Sequence, residues 1–339
     1  EHFARVREMH GVGIHMLEFE MFSFSDLSAG GGKGGSLMQF TKDQKLLVKQ
    51  LSGDDQASLL LYGKEYCEQV LHKGGKESML SRFFYHFQRP ADGKNYVVMN
   101  NCMPAMRAVD ALWDLKGCAD DKIVRQGGAS VPQVHKRWFK VHWLVAEACG
   151  DCVGCLPLGR KRYKAGKTRA RTQIFELQEE DCENVRRAVR SDVDFLKRCG
   201  LMDYSLIVGC LTEKVGSDGA MPSFPNGGFD GQPFVVKSGS WVIAYYIGII
   251  DFLQGWTTGK KVAHVIKRLF APKPISTIQP GPYADQFLAA NDARFKPLVL
   301  SPTKEGIHNV GRGPGLAGSV FVSPDGASNE SAEDAQYNV

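Results

Sequence analysis

The sequence predicts an α+β chain folded as two lobes with antiparallel sheets, and three observations carry that expectation. Its length, 339 residues, exceeds what a single core usually fills and suits two lobes. Residues 1–110 read as strand-rich around one helix, with a hairpin pattern that makes neighbouring strands antiparallel. Residues 111–300 set a strongly amphipathic helix beside long apolar strands, and from Ser301 to Val339 the composition of Gly, Ser, Asn and acidic residues predicts a disordered tail. With 43% apolar and 23% charged residues, the chain can bury a sizeable core.

The elements follow in order. Phe19–Phe24 alternates apolar and polar residues as a half-buried strand does, and the glycine-rich run Ser28–Ser36 comes next. Leu37–Phe40 and Leu46–Val48, joined by the polar Thr41–Lys45, form a hairpin pattern. Ser52, Asp54 and Asp55 mark a helix start, and that helix runs to basic His72 and Lys73 before Gly74 and Gly75. Tyr96–Met99 reads as a buried strand. From Asp181 to Cys199, Val185, Ala188, Val189, Val193 and Leu196 recur at helical spacing. Glu179, Glu180 and Asp181 complement the helix dipole at its start, Lys197 and Arg198 at its end, and Gly200 closes it. Leu206–Val208 and Val242–Ile250 are predicted strands. Val215–Gly239 between them, rich in Gly, Pro and Ser, is predicted to be an exposed loop.

Charge and cysteine content narrow the class. Lys and Arg number 42 against 37 Asp and Glu, a net charge of +5 that excludes a heavily polycationic protein. The longest apolar run, Trp241–Leu253, is broken by Gly248 and Asp251 and falls short of the roughly 20 residues that span a bilayer. No signal peptide is visible, and the opening on Glu1 leaves open a longer chain with its own membrane anchor. Nine scattered cysteines fit reduced thiols in an intracellular compartment. Cys149, Cys152 and Cys155 are spaced so that, with Cys182 or His142, they could ligate zinc, although free loop thiols are the simpler reading. Arg160–Arg171 holds seven basic residues and no acid. Its one aromatic residue is Tyr163 and no RNA-binding module accompanies it, so a membrane-surface contact or a disordered basic loop is expected there, and no nucleic-acid partner. Gly166-Lys167-Thr168 ends like a P-loop, but Lys161 stands where the first glycine is required.

Three features point to phosphotransfer. Glycines between two strands let backbone N–H groups approach phosphates, and Gly31, Gly32, Lys33, Gly34 and Gly35 supply such a run. Lys49 lies on the following strand, where a kinase lysine meets ATP phosphates. Asp203 and Asp251 stand in apolar settings, in Leu201-Met-Asp-Tyr-Ser-Leu206 and at the end of Tyr246-Ile-Gly-Ile-Ile-Asp251. A carboxylate closing a buried strand needs a partner to offset its desolvation. One aspartate would orient an attacking hydroxyl and the other would hold Mg²⁺. A soluble protein kinase is disfavoured, since neither His-Arg-Asp nor Asp-Phe-Gly occurs.

Five blocks, taken in order, closely resemble the signatures of the phosphatidylinositol phosphate kinases. They are Asp114-Leu-Lys-Gly117, Met202-Asp-Tyr-Ser-Leu206 with Val208-Gly209, Ile247-Gly-Ile-Ile-Asp251, Lys260-Lys261 with Ala263-His264, and Ile275-Ser-Thr before Tyr283 and Phe287. The resemblance runs from about Phe19 to about Phe287. It implies a two-lobed fold distantly like the protein kinases, with a flat membrane-facing side. It also implies ATP and Mg²⁺ as cofactors, a phosphatidylinositol monophosphate as acceptor, an anionic membrane surface on the cytosolic side as partner, and a homodimer. Residue by residue, Lys49 matches the ATP lysine, Asp203 the catalytic aspartate and Asp251 the metal-binding aspartate. Lys116 matches its block and is placed with Asp203 among the catalytic residues. Residues from Phe252 to about Pro274 match the activation loop, where Lys260, Lys261, Ala263, Lys267 and Arg268 would meet lipid. Ala263 is similar to the residue of 5-phosphate users, whereas Val97-Val-Met-Asn-Asn101 and Pro104 resemble the linker of the 5-kinase branch, so the isomer stays open. The chain departs from the pattern at Cys118-Ala-Asp-Asp-Lys122. It departs again on the helix after Lys49, where Gln56 or Ser58 replaces the usual glutamate and Asp54, Asp55 or Glu65 would be imperfect substitutes. A catalytically weak or dead phosphoinositide-binding relative is the alternative.

Overall fold

The computed structural model, which describes residues 2–13, 28–29, 37–72, 78–131, 158–227, 231–262, 264 and 274–298, contains two antiparallel sheets. The first has the order β1-β2-β3-β5-β4, from Ser28–Ala29 (β1), Leu37–Phe40 (β2), Leu46–Gln50 (β3), Phe83–Gln88 (β4) and Asn95–Asn100 (β5). The β2–β3 hairpin has the predicted register, with Met38 opposite Lys49. In β5, Tyr96, Val97, Val98 and Met99 are all buried, as a central strand rich in aromatic and β-branched residues should be.

Two helices flank this sheet, one more than the sequence predicts. Helix α1, His2–Met9, buries Val6, and its Arg7 caps the Tyr85 ring at 4.0 Å while donating to the Phe84 carbonyl at 2.8 Å. Helix α2, Gly53–His72, begins with a reciprocal cap: Ser52 Oγ accepts the Asp55 N–H at 3.1 Å, and Asp55 Oδ2 accepts the Ser52 N–H at 3.4 Å.

The second sheet has the order β11-β12-β10-β6-β7-β8: Ala111–Leu115 (β6), Lys122–Gln126 (β7), Ala129–Ser130 (β8), Ser205–Lys214 (β10), Phe234–Ser238 (β11) and Trp241–Ile250 (β12). Strands Phe175–Leu177 (β9) and Phe295–Pro297 (β13) form a separate parallel pair. Strand β11 corrects the expectation of a loop throughout Val215–Gly239. Ser238 pairs with Trp241 across Gly239-Ser240, and Gly239 takes φ +61°, so a two-residue hairpin turn hides among the loop-like residues.

A second correction concerns the basic run. Leu158–Arg171 is not a loop but helix α3, packed on β7. Tyr163, Gly166 and Ala170 are buried at helical spacing, and a Cβ at Gly166 would touch Ile123 at 3.9 Å. Small residues form the inner face, so the apolar periodicity is faint beneath the charges. Helix α4, Glu179–Arg198, and helix α5, Pro280–Asp292, pack on each other, and both sheets lie within one unit, Glu1–Leu300. Cys182, a suggested zinc ligand, is a fully buried free thiol on α4, while Cys149, Cys152, Cys155, His142, Phe19–Phe24 and the tail from Ser301 lie outside the described residues. Among the described residues, no helix is long and apolar enough to cross a membrane.

Candidate active site

The catalytic block is delivered by the end of α4. The Gly200 N–H bonds to the Lys197 carbonyl at 3.1 Å and the Leu201 N–H to the Leu196 carbonyl at 3.0 Å, with Gly200 at φ +66°. This Schellman closure turns the chain sharply into Met202-Asp203-Tyr204. Met202 and Tyr204 are fully buried, and Tyr204 is wedged edge-on between Tyr283 and Phe287 of α5 at 4.8 and 4.9 Å. The Tyr283 hydroxyl also donates to the Tyr204 carbonyl. Anchored on both sides, Asp203 adopts φ +64° and turns its carboxylate to Lys116 and Lys260.

Asp251 is presented in a parallel manner. It ends β12 at φ +58°, and the next residue, Phe252, is buried against Tyr66 of α2 and Phe83 of β4 at 5.7 and 5.0 Å. The linker before β4 grips the same strand end. Ile249 N–H donates to the Met79 carbonyl at 2.6 Å, and the Ser81 hydroxyl donates to the Ile249 carbonyl at 2.9 Å. Asp192 of α4, fully buried, accepts the Met79 N–H at 2.6 Å. One strand end thus joins both sheets.

Three lysines meet these two carboxylates. Lys49, on β3 of the first sheet, pairs with Asp251, whose side chain is 51% exposed, at the end of β12 in the second. Lys116, just past β6, donates to Asp203 Oδ1 at 2.7 Å and to the Asp203 carbonyl. Lys260 stands 3.8 Å from Asp203 Oδ2, in the segment 258–262 that is helical. Burial favours a neutral Asp203, but Lys116 foremost, then Lys260 and Ser276, hold its carboxyl below the usual carboxylate range. Crowding acts the same way on Asp251, and Lys49, ahead of Lys116 and Lys122, overrides it downward. Burial would deprotonate Lys116, yet Asp203, Asp114 and Asp251 raise its pKa instead. All three groups therefore stay charged at neutral pH.

The helix carboxylate missing from the sequence is missing from the site as well. Among the described residues, Lys49 pairs with no acid of α2. Gln56 bonds to Asn95 at 2.7 Å, Asp55 serves the helix cap, Glu65 is exposed, and Ser58 lies beside Gly255. Gly31, Gly32, Lys33, Gly34, Gly35, Ala263, Lys267 and Arg268 lie outside the described residues, and Lys261 is exposed.

Several residues of the site escaped the sequence reading. Asp114 Oδ2 pairs with Lys122 at 3.0 Å across the β6–β7 register, while its buried Oδ1 has no hydrogen-bond partner among the described residues. Asp120 accepts from Ser276 Oγ at 2.9 Å and pairs with Lys167 of α3 at 3.4 Å. The Ala119 N–H meets the Pro274 carbonyl at 2.8 Å. The basic helix and the far end of the 252–274 segment therefore converge on one turn. Only the pairing of β6 with β7 could have exposed these contacts.

The donor set suits a hard cation. Mg²⁺ takes one or two carboxylates alongside phosphate oxygens; Asp251 and Asp114 both act electrostatically on Lys116, and Asp114 Oδ1 has no hydrogen-bond partner among the described residues. Among the described residues, no three His, Cys, Asp or Glu converge into a self-sufficient metal cluster.

Comparison with known proteins locates the chain. The family model described as "Phosphatidylinositol-4-phosphate 5-Kinase" matches residues 23–224 and 235–293. Phosphatidylinositol 5-phosphate 4-kinase type-2 gamma of Danio rerio is 25% identical, with 84% of this chain and 73% of that protein covered. Phosphatidylinositol 4-phosphate 5-kinases of Plasmodium falciparum and Schizosaccharomyces pombe are 24% and 23% identical over 78% and 80% of this chain, but only 15% and 42% of their own lengths. With both aspartate-bearing turns inside the matched region and an α+β fold that sets them at the paired ends of β10 and β12, this chain belongs to the phosphatidylinositol phosphate kinase family.

Proposed function

We propose that the chain is a lipid kinase that transfers the γ-phosphoryl group of ATP to a ring hydroxyl of a phosphatidylinositol monophosphate, giving a bisphosphate such as phosphatidylinositol 4,5-bisphosphate. The observation that carries this reading is the pairing of Lys116 with Asp203 at 2.7 Å beside the pairing of Lys49 with Asp251. Asp203 orients the attacking hydroxyl. Its depressed pKa makes it a weak base, so it takes the hydroxyl proton late, as the oxygen–phosphorus bond forms and the bond to ADP breaks. Lys116 keeps Asp203 ionised and in place. Lys49 holds ATP phosphates, aided by the backbone of Gly31 to Gly35. Mg²⁺, held by Asp251 with help from Asp114, would offset phosphate charge. Lys260, Lys261, Lys267 and Arg268 meet the lipid headgroup, and the basic helix α3 adds to contact with an anionic membrane on its cytosolic face. A homodimer is expected from the family.

A second reading, a weak or inactive phosphoinositide-binding scaffold, draws on one observation: Lys49 is held by Asp251 and not by α2. ATP, Mg²⁺ and each of the three monophosphate isomers in liposomes decide between them, with the product's ring position read by chromatography. The kinase reading expects a bisphosphate from at least one isomer and a changed preference in Ala263→Glu. No product from any isomer, with ATP bound but not turned over, would leave the scaffold.

A further inference from the structure

Lys116 is held at both ends, and only one end belongs to the chemistry described so far. Its ammonium meets Asp203. Its backbone N–H donates to Asp121 Oδ1 at 2.6 Å, and the Cys118 N–H donates to the same oxygen at 3.2 Å. Asp121 Oδ2 is paired with Arg294, just past α5, and the two side chains are 1% and 4% exposed. Asn291 Oδ1 fixes the guanidinium from the other side at 2.9 Å, and the Arg294 carbonyl accepts the Phe175 N–H at 2.8 Å. Between the two N–H groups lies Gly117, at φ +71°, where an added Cβ would come within 2.9 Å of Ala290 Cβ. The turn that carries Lys116 is thus pressed against α5 with no slack.

We propose that Asp121, neutralised by Arg294, is a positioning residue for phosphoryl transfer: it fixes the backbone at Lys116 so that the ammonium lands on Asp203. An ion pair serving the core alone has no need to spend its second oxygen on two N–H groups of one turn, and buried ion pairs are in any case weak evidence of stability. A lysine stem has four rotatable bonds, so the reach of its head depends on where its Cα is held. A misplacement of about 1 Å costs on the order of 100-fold in rate. The catalytic half of this inference rests on the kinase reading above. The coupling of Asp121 to Lys116 does not.

Two double variants isolate the acceptor, since both remove the buried charges: Asp121→Asn with Arg294→Met, and Asp121→Ala with Arg294→Met. The asparagine keeps an oxygen for the two N–H groups and the alanine does not. The rate at which a soluble acylating reagent modifies the Lys116 amine, measured by mass spectrometry against exposed Lys197, reads the Lys116–Asp203 contact without turnover. The asparagine protein is expected to match wild type and the alanine protein to react about tenfold faster, the order of change expected when the charge-assisted hydrogen bond to Asp203 is lost. In the lipid assay, kcat should fall about 100-fold in the alanine protein alone, with KM for ATP unchanged. Equal Lys116 acylation in both proteins overturns the proposal. If wild type makes no lipid product, the kinase reading fails and the acylation still decides the coupling. Should the alanine protein not fold, Arg294→Lys keeps a cation on Asp121 and the one oxygen that accepts both N–H groups. Wild-type protection of Lys116 then supports the proposal, and its loss sinks it.

Discussion

Asp203 and Lys116 behave as one unit, so each makes a distinct prediction. Asp203→Asn keeps the shape and an acceptor oxygen but loses the charge that, in the proposed reaction, orients the hydroxyl. Lipid kinase kcat is expected to fall about 10²–10⁴-fold, with a lower melting temperature at neutral pH because Lys116 loses its ion-pair partner. Lys116→Met tests the electrostatics. The folded pKa of Asp203 lies below its unfolded value, so its ionisation stabilises the fold above that unfolded value, about 3.9, and the gain is lost as pH falls through the folded pKa. Without Lys116, burial is opposed chiefly by Lys260, and the Asp203 pKa rises. Melting curves from pH 3 to 7 should then show stability lost at higher pH than in wild type, and the acid limb of kcat should move the same way. An unmoved limb would separate Lys116 from Asp203. The positions of Lys49, Asp203 and Asp251 were legible because two charged groups in apolar runs need partners. Asp121 was not, since its partner Arg294 lies 173 positions away in the chain and only the fold brings them together.

At the scale of elements, α3 carries the sharpest expectation. Its inner face is Tyr163, Gly166 and Ala170, while Lys164, Arg169 and Arg171 are exposed. Replacing those three with alanine leaves the packing on β7 untouched. At about 1 kcal/mol for each basic residue near an anionic surface, affinity for phosphatidylserine liposomes should drop on the order of 100-fold. A sedimentation assay checks this, and unchanged binding would remove α3 from the membrane contact. Helix α2 was legible from its end signals alone, and helix α4 from caps and periodicity, because α4 buries a wide apolar stripe. Helix α3 and strand β11 were not. The first hides a narrow face of small residues under seven charges, and the second is a five-residue strand stabilised by its hairpin with β12.

Across the whole molecule, the modest net charge conceals an uneven distribution. Residues 160–171 and 252–284 together hold twelve of the 42 Lys and Arg and no acid, so the rest of the chain is net acidic. Lys167, from the first stretch, and Ser276, from the second, meet on Asp120, which brings their described parts to one side. Attraction of that kind is screened within about 8 Å at physiological salt. Liposome binding by the full chain should therefore weaken steeply between 50 and 300 mM salt, roughly as charge–surface attraction does. A flat salt dependence, read by the same sedimentation assay, would point to apolar insertion instead.

The left-handed backbone at Asp203 and Asp251 also bears on how such a protein can change over generations. Few side chains tolerate φ near +60°; glycine does so freely, and asparagine and aspartate more readily than the rest, which pay about 1–2 kcal/mol. In the genetic code, an aspartate codon becomes asparagine or glycine by a single base change. At the two carboxylates assigned to catalysis, the substitutions within nearest mutational reach therefore include those that remove the charge and spare the backbone. Loss of either carboxylate with the backbone turn intact is one nucleotide away, so a descendant of this chain that lacked the proposed phosphotransfer would still inherit a folded protein.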